Sequence, residues 1–169
     1  MNEISKILEA KEKVIYEGKP KYFPYMIANT SFMVFVIAII GFFAGFLLKS
    51  YVLPVIIGLT LLLLGILYSQ IAYLRTHYAV TNKRIILQTG GIGRDFKSID
   101  YDRIQNISVS VGLLGVIFGA GNVKIFTGEM ISSGHSVRSR YDIFYYVAQP
   151  YEILKEIQTH ISARKEKFK

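Results

Sequence analysis

Two long uncharged segments, separated by only three residues, constrain this chain more than any other feature of its sequence. Residues 27–48 contain no charged side chain over 22 residues, and residues 52–74 contain none over 23. An α-helix rises about 1.5 Å per residue, so each segment extends about 33 Å and can cross a hydrocarbon core of about 30 Å. The rest of the chain is too short to bury such a pair inside a soluble core. The sequence therefore predicts a two-span transmembrane helical hairpin over residues 27–74.

The distribution of lysine and arginine predicts how this hairpin is oriented. The turn between the two segments contains Lys49 alone, whereas five lysines precede the first segment and a series of cations beginning at Arg75 follows the second. Short loops rich in Lys and Arg remain on the cytoplasmic side. We therefore expect a multi-pass cell-membrane protein with both termini in the cytoplasm, and the net charge of +8 is explained by this topology.

Four glycines mark helix faces on which backbones can approach closely. Gly41 and Gly45 lie four residues apart in the first segment, and Gly58 and Gly65 lie one heptad apart in the second. Small residues favour helix packing in membranes. Packing within the hairpin is the preferred interpretation, and dimerisation through Gly41 and Gly45 is the alternative. Neither segment contains Asp, Glu, Lys, Arg or His, so a proton or ion path is not expected.

The residues before the hairpin carry two signals. Residues 1–13 could form a short amphipathic helix that lies on the membrane or packs on the later domain, and a loosely ordered segment is equally compatible. Val14–Gly18 is expected to be extended. Lys19 and Lys21 stand among aromatic residues, which is typical of an anchor at the membrane interface. We divide the chain into a lead-in (1–26), the hairpin (27–74) and a cytoplasmic domain (75–169).

After the hairpin, the hydrophobic pattern changes to the alternation of β-strands. Strands are predicted at residues 77–81, 84–89, 95–101, 107–111, 122–127 and 137–147. The Gly-punctuated segment 112–119 is expected to be an apolar connection, and residues 128–134 a loop. The sequence thus predicts an antiparallel β-barrel or sandwich.

A C-terminal helix should close this barrel. It is predicted from Tyr151 to about Lys165, and Pro150 precedes it. The residues on its apolar face are Ile153, Leu154, Ile157 and Ile161. The expected fold class is therefore a membrane hairpin followed by an α+β domain.

The residue types needed for catalysis or metal binding do not occur in suitable patterns. The chain has no cysteine, its three histidines are far apart in sequence, and it contains neither a Walker pattern nor a GxSxG pattern. Asp100 and Asp102 could form a carboxylate pair, but a structural ion pair beside Arg103 is the preferred interpretation. No nucleic-acid reader motif is present. We expect neither an enzyme nor a nucleic-acid-binding protein, and no cofactor.

Four segments of the later region follow one another in a recognisable order. They are YAVTNKRI (78–85), IDYDRIQNI (99–107), LLGVIFGAGNVKI (113–125) and VAQP (147–150). In this order they resemble the membrane-flanked bacterial PH-domain family (YdbS-like proteins). Asn82 stands where that family usually has Asp, and Val116 where it has a basic residue, which removes one phosphate contact. The resemblance implies a PH-like barrel at the inner membrane face without established catalytic residues.

The expected function is an interaction module that binds anionic lipid headgroups or a protein partner at the inner membrane face. A homo-oligomer is compatible with this function, and the alternative is an accessory or scaffold subunit of a larger membrane transporter or enzyme complex. Counting strand directions places residues 90–97 and 112–119 towards the membrane and the 82–84 turn away from it. The residues expected near lipid are Lys19, Lys21, Arg75, Arg94, Lys97, Leu113, Leu114, Ile117 and Phe118. The last four either enter the interface or close the end of the barrel, and closure is favoured.

Overall fold

A helical hairpin projects from a small α+β domain in the computed structural model, which describes residues 3–91, 93, 95–133 and 136–167. Helix α1 spans Tyr22–Leu48 and helix α2 spans Val52–Arg75. Both are long and apolar enough to span a bilayer, and few of their side chains are buried within the described chain. Lys49 adopts a left-handed conformation (φ 49°) that ends α1 and turns the chain towards α2.

In the described part of the chain, seven antiparallel strands form two sheets. The first sheet has the order β1-β2-β3-β4 and the second the order β5-β6-β7. The strands are β1 (Val14–Gly18), β2 (His77–Thr81), β3 (Arg84–Thr89), β4 (Asp95–Asp100), β5 (Asn106–Ser110), β6 (Gly121–Ser133) and β7 (Ser136–Val147). A short helix α3 (Leu113–Phe118) connects β5 to β6, and helix α4 (Pro150–Lys167) follows β7. The predicted fold class is confirmed.

The hairpin is inserted between two neighbouring strands of one sheet. Strand β1 precedes α1, strand β2 follows α2, and the two strands pair with Tyr16 opposite Val80 and Gly18 opposite Tyr78. The boundary predicted at residue 75 therefore divides a sheet that is continuous in the structure. Backbone pairing between residues about 60 positions apart is invisible to local hydrophobic periodicity.

The main core lies between the two sheets and α4. Tyr78, Ile85, Val123 and Phe144 are fully buried in it, and the ring of Tyr78 stacks on that of Phe144 with centroids 4.5 Å apart. Helix α4 contributes Ile153 and Ile157 to this cluster, with Ile161 packed against it. Leu154, predicted in the core, is only half-buried. The core-facing line of α4 follows the i, i+4 pair Ile153 and Ile157, and Leu154 lies beside it.

The N-terminal residues cover the other face of the first sheet. A single 3-10 turn at Ile4–Lys6 replaces the predicted amphipathic helix. Ile4, Ile7 and Leu8 nevertheless pack against Ala79 and Ile86, which point away from the main core. Every residue of β2 is consequently buried.

Two predicted connections are regular structure instead. Residues 112–119 contain the helix α3, and β6 continues through the predicted loop as far as Ser133. Gly128 has a φ of 84° and lies at the register shift between Phe126 and Met130. A glycine can absorb such a bulge without ending the strand, so the glycine signal here marks an irregularity rather than a loop.

Candidate functional site

The two ends of the domain have different surroundings. Gly18, His77, Thr89 and Asp95 lie at the end from which the helices leave, which we call the hairpin end. The opposite end, around the turn Thr81–Arg84, is called the far end. The residues predicted near lipid are expected at the hairpin end, so their geometry there decides what this surface can contact.

Helix α3 is attached to the start of α1. The ring of Phe118 stacks on that of Phe23 with centroids 6.1 Å apart and an interplanar angle of 15°. Lys21 Nζ donates a hydrogen bond of 2.8 Å to the Phe118 carbonyl at the C-terminus of α3, where a cation is favoured. The Lys21 backbone N–H donates to the Tyr146 carbonyl at 2.8 Å. Lys21 therefore joins α1, α3 and β7.

The large side chains of α3 point outward. Leu113, Val116 and Ile117 are 78%, 72% and 64% exposed, whereas Leu114 and Phe118 are half-buried. The inward position of α3 is Gly115, where a side chain would collide with the Ala120 carbonyl. The expectation that these residues close the barrel is therefore wrong for Leu113 and Ile117. The sheets and α4 already fill the interior, and only a glycine fits between α3 and the chain that follows it.

Most of the predicted lipid-contacting cations have partners within the protein. Arg75 Nη1 donates to the carbonyls of Gly91 and Gly93 at 2.7 and 3.2 Å. Lys97 Nζ lies 2.8 Å from Asp142 Oδ2 and 3.3 Å from Glu129 Oε2. Lys19 is exposed, and Arg94 lies outside the described residues. The strand count places Lys97 near the hairpin end, but its charge is largely neutralised there.

The cations of the far end bind carboxylates of the N-terminal segment. Arg84 makes hydrogen bonds of 3.1 and 3.0 Å to the two carboxylate oxygens of Glu12, and Thr81 donates to the same carboxylate at 2.7 Å. Lys83 Nζ lies 2.9 Å from Glu9 Oε2. The Glu12 side chain is fully buried. Burial, the largest effect, raises its pKa, but the hydrogen bonds and the charge of Arg84 together lower the pKa below its ordinary value.

The hairpin glycines contact different neighbours. At Gly58 and Gly65 a side chain would meet Ile37 and Met33 of α1, so both glycines permit packing within the hairpin. Gly45 packs against the ring of Tyr51 in the turn. Gly41 has open space where a side chain would be, and it lines apolar grooves on α1 and α2 together with Pro54 and Gly58.

A cleft of about 680 Å³ lies between the start of α1, the end of α2 and the ends of both sheets. We call it the tyrosine cleft, after the side chains that line it together with Asp95, namely Tyr25, Tyr68, Tyr78, Tyr145 and Tyr146. This cleft was not predicted from the sequence. Its tyrosines come from four separate elements, and no local pattern connects them.

The backbone around the tyrosine cleft is held by specific contacts. Tyr146 has a φ of 50°, a conformation that is unfavourable for a residue with a side chain. Its N–H donates to Asn122 Oδ1 at 2.8 Å, and its carbonyl accepts from Lys21. On the opposite wall, the Tyr68 side chain packs against Gly91 so closely that a side chain there would collide with it.

Within the described ranges, no group of three or more His, Asp or Glu side chains is close enough to hold a metal ion. Asp102 pairs with Arg164 Nη1 at 3.0 Å rather than with the neighbouring Arg103, so the expected ion pair has a different partner.

Comparison with known proteins agrees with this architecture. The profile described as "Bacterial PH domain" matches residues 32–163. A crystal structure of a DUF1696 family protein with a pleckstrin-homology domain, from Shewanella loihica PV-4, aligns at 21% identity over 54% of this chain and 71% of that chain. Its TM-score is 0.30, so this similarity carries no further weight. No curated protein matches the sequence. Because the matched residues make up more than half of the chain, the chain belongs to the bacterial PH domain family.

Proposed function

We propose that this chain is an integral cell-membrane protein whose PH-like domain lies against the inner bilayer face and binds lipid headgroups, preferentially anionic ones, or a protein partner there. The observation that carries the proposal is the exposed apolar face of α3, formed by Leu113, Val116 and Ile117, beside the start of α1. With both termini in the cytoplasm, this face lies where a bilayer surface would cover it.

The depth of α3 follows from the lengths of the helices. At about 1.5 Å per residue, roughly 20 residues cross the hydrocarbon core, so α1 and α2 extend beyond it. Their inner ends contain an aromatic cluster in which the ring of Tyr73 lies 5.1 Å from that of Tyr22 and 5.8 Å from that of Tyr25. Such clusters are typical of the membrane–water interface. Phe118, stacked on Phe23, shares this depth.

Electrostatics makes a smaller contribution than the sequence suggests. A cation near an anionic surface contributes about 1 kcal/mol. Lys19 is exposed and can make this contribution, whereas Lys97 is engaged by Asp142 and Glu129. We therefore assign most of the membrane contact to the apolar face of α3 and a modest anionic preference to Lys19.

The open grooves beside Gly41 support a second candidate function. A further transmembrane helix could pack there, from a second copy or from a larger transporter or enzyme complex. In this case the chain would be an accessory or scaffold subunit, and co-purification of a stoichiometric membrane partner would favour it.

The depth of α3 can be measured with a single introduced fluorophore, because the chain contains no tryptophan. Full-length protein carrying Ile117→Trp is reconstituted into vesicles whose lipid chains are brominated. We expect blue-shifted emission that is strongly quenched. The matched control is Ala10→Trp, an exposed position whose carbonyl accepts a hydrogen bond from Lys83 at the far end, which should remain unquenched. Unquenched emission from both variants would refute the membrane contact.

The orientation is tested separately, and the absence of native cysteine makes labelling clean. Ser50→Cys and Thr159→Cys are each treated with a membrane-impermeant maleimide in intact cells. Labelling of Ser50→Cys alone is the expected result. Labelling of Thr159→Cys before lysis would reverse the orientation.

A further inference from the structure

We propose that the tyrosine cleft binds the primary ammonium group of a phospholipid headgroup, as in an ethanolamine phospholipid. This inference rests on the proposed function, because the cleft reaches the inner headgroup region only if the hairpin spans the membrane as described. It adds a ligand class and a site distinct from the apolar face of α3.

The position of the cleft makes a lipid headgroup its natural occupant. One wall is formed by the inner ends of the spans, with Tyr25 and Asn29 on α1 and Tyr68 on α2. The other wall is formed by the ends of the two sheets. A lipid beside the hairpin would therefore place its headgroup, rather than its chains, at this opening. The volume of about 680 Å³ lies within the usual range for small-molecule pockets.

The chemistry of the lining favours a cation over an anion. Five tyrosines and the exposed carboxylate of Asp95 line the cleft, and no Lys or Arg side chain among the described residues does so. Aromatic faces and a carboxylate attract an ammonium group, whereas a phosphate would need cations or converging N–H groups. The ligand phosphate therefore remains outside the cleft, towards solvent.

The tyrosine hydroxyls are neutral and close to one another. Tyr78 Oη accepts a hydrogen bond of 3.1 Å from the Tyr145 backbone N–H. Burial, reinforced by the neighbouring Tyr25, raises the pKa of both Tyr78 and Tyr145. Both hydroxyls remain protonated at physiological pH. Tyr78 is fully buried, whereas Tyr145 is exposed and its hydroxyl oxygen can accept a hydrogen bond from the ligand.

Hydrogen bonding distinguishes a primary ammonium from a quaternary one. A primary ammonium has three N–H donors, and the cleft offers acceptors in Asp95, in the tyrosine hydroxyls and in Asn29, whose amide N–H is already used by the Tyr25 carbonyl. A choline headgroup has no N–H donor, and a glycerol headgroup has no cation. We expect the ethanolamine headgroup to be preferred over both.

The test uses the full-length protein, stripped of lipid in detergent and incubated with equal amounts of phosphatidylethanolamine and phosphatidylcholine. Both lipids are zwitterionic and differ only at the ammonium group, so the anionic preference assigned to Lys19 does not affect the comparison. Native mass spectrometry measures which lipid is retained. We expect preferential retention of phosphatidylethanolamine. The double variant Asp95→Asn with Tyr145→Phe should lower that preference at least about tenfold.

Matched controls separate this site from general effects. The control variants are Asp100→Asn and Tyr151→Phe. Asp100 lies at the opposite end of β4 from Asp95, and Tyr151 is an exposed residue of α4 that does not line the cleft. Both should retain the preference. Equal retention of phosphatidylcholine, or an unchanged preference in the double variant, would each overturn the inference. Because the measurement is made in detergent, these outcomes are independent of the quenching of Ile117→Trp.

Discussion

The far end and the hairpin end of the domain both carry cations but present opposite surfaces. At the far end, Arg84 and Lys83 are bound to Glu12 and Glu9 of the N-terminal segment. At the hairpin end, Leu113 and Ile117 remain exposed. The comparison shows that a basic turn in sequence does not establish a ligand site, because other parts of the same chain can neutralise it.

The largest effect should come from breaking the far-end contact. Glu12→Ala removes the buried carboxylate that Arg84 and Thr81 share, and removing one member of a buried ion pair costs about 3–5 kcal/mol. Arg84 keeps its contacts with Glu9 and with the Ile7 carbonyl, which reduces the loss. Because Arg84 is partly exposed, we expect the lower part of this range. Equilibrium unfolding of the full-length protein in urea, in detergent, measures the loss. Glu9→Ala, at an exposed pair, is the control and should change the midpoint far less; equal changes would contradict the distinction.

The hairpin end should show a smaller and more specific coupling. A double-mutant cycle of Phe23→Ala and Phe118→Ala isolates the stacking between α1 and α3, and aromatic pairs contribute about 0.5–1.5 kcal/mol beyond burial. The measurement is the free energy of unfolding of both single variants and the double variant. A control cycle uses Phe42→Ala in place of Phe23→Ala. Because Phe42 lies farther along α1, this cycle should show no coupling with Phe118→Ala. Strict additivity at Phe23 would indicate that the stacking of the two rings does not couple α3 to α1.

The stability of the folded protein should depend on pH through His77, a buried residue at the hairpin end. Burial, together with the charge of Lys19, lowers the pKa of His77 below its ordinary value of about 6.5. The unfolded chain therefore binds more protons as the pH falls through about 6.5, and stability decreases on acidification. We expect His77→Gln to flatten the decrease in melting temperature between about pH 7.5 and 5.5. Parallel curves for the two proteins would show that His77 does not contribute.

The smallest effect is expected at the paired cation of the hairpin end. Lys97→Met should leave the retention of phosphatidylglycerol nearly unchanged, because Asp142 and Glu129 already neutralise Lys97. Lys19→Met should weaken the binding of phosphatidylglycerol by the contribution of one exposed cation, about 1 kcal/mol. Native mass spectrometry of both variants gives the comparison. A larger loss for Lys97→Met would mean that lipid displaces its carboxylate partners.

Much of the fold could be predicted from sequence because its signals are local. The hairpin is specified by uncharged length, and the turn between β2 and β3 by two short β-prone segments around Asn82 and Lys83. The apolar face of α4 predicted a closing helix, although the finer assignment of Leu154 to the core was wrong. The candidate site was harder to predict, because the tyrosine cleft joins residues from distant segments.

Composition and hydrophobic periodicity are enough to predict two apolar helices followed by an antiparallel domain, because both signals act over only a few residues. Three features are visible only in the folded chain. Strand β1 pairs with β2 across the hairpin, Glu12 forms an ion pair with Arg84, and Gly115 rather than Leu113 faces inward. Each of these depends on a partner that the local sequence does not specify. The free energy of a buried charge or an exposed apolar side chain is set by that partner, not by the residue itself.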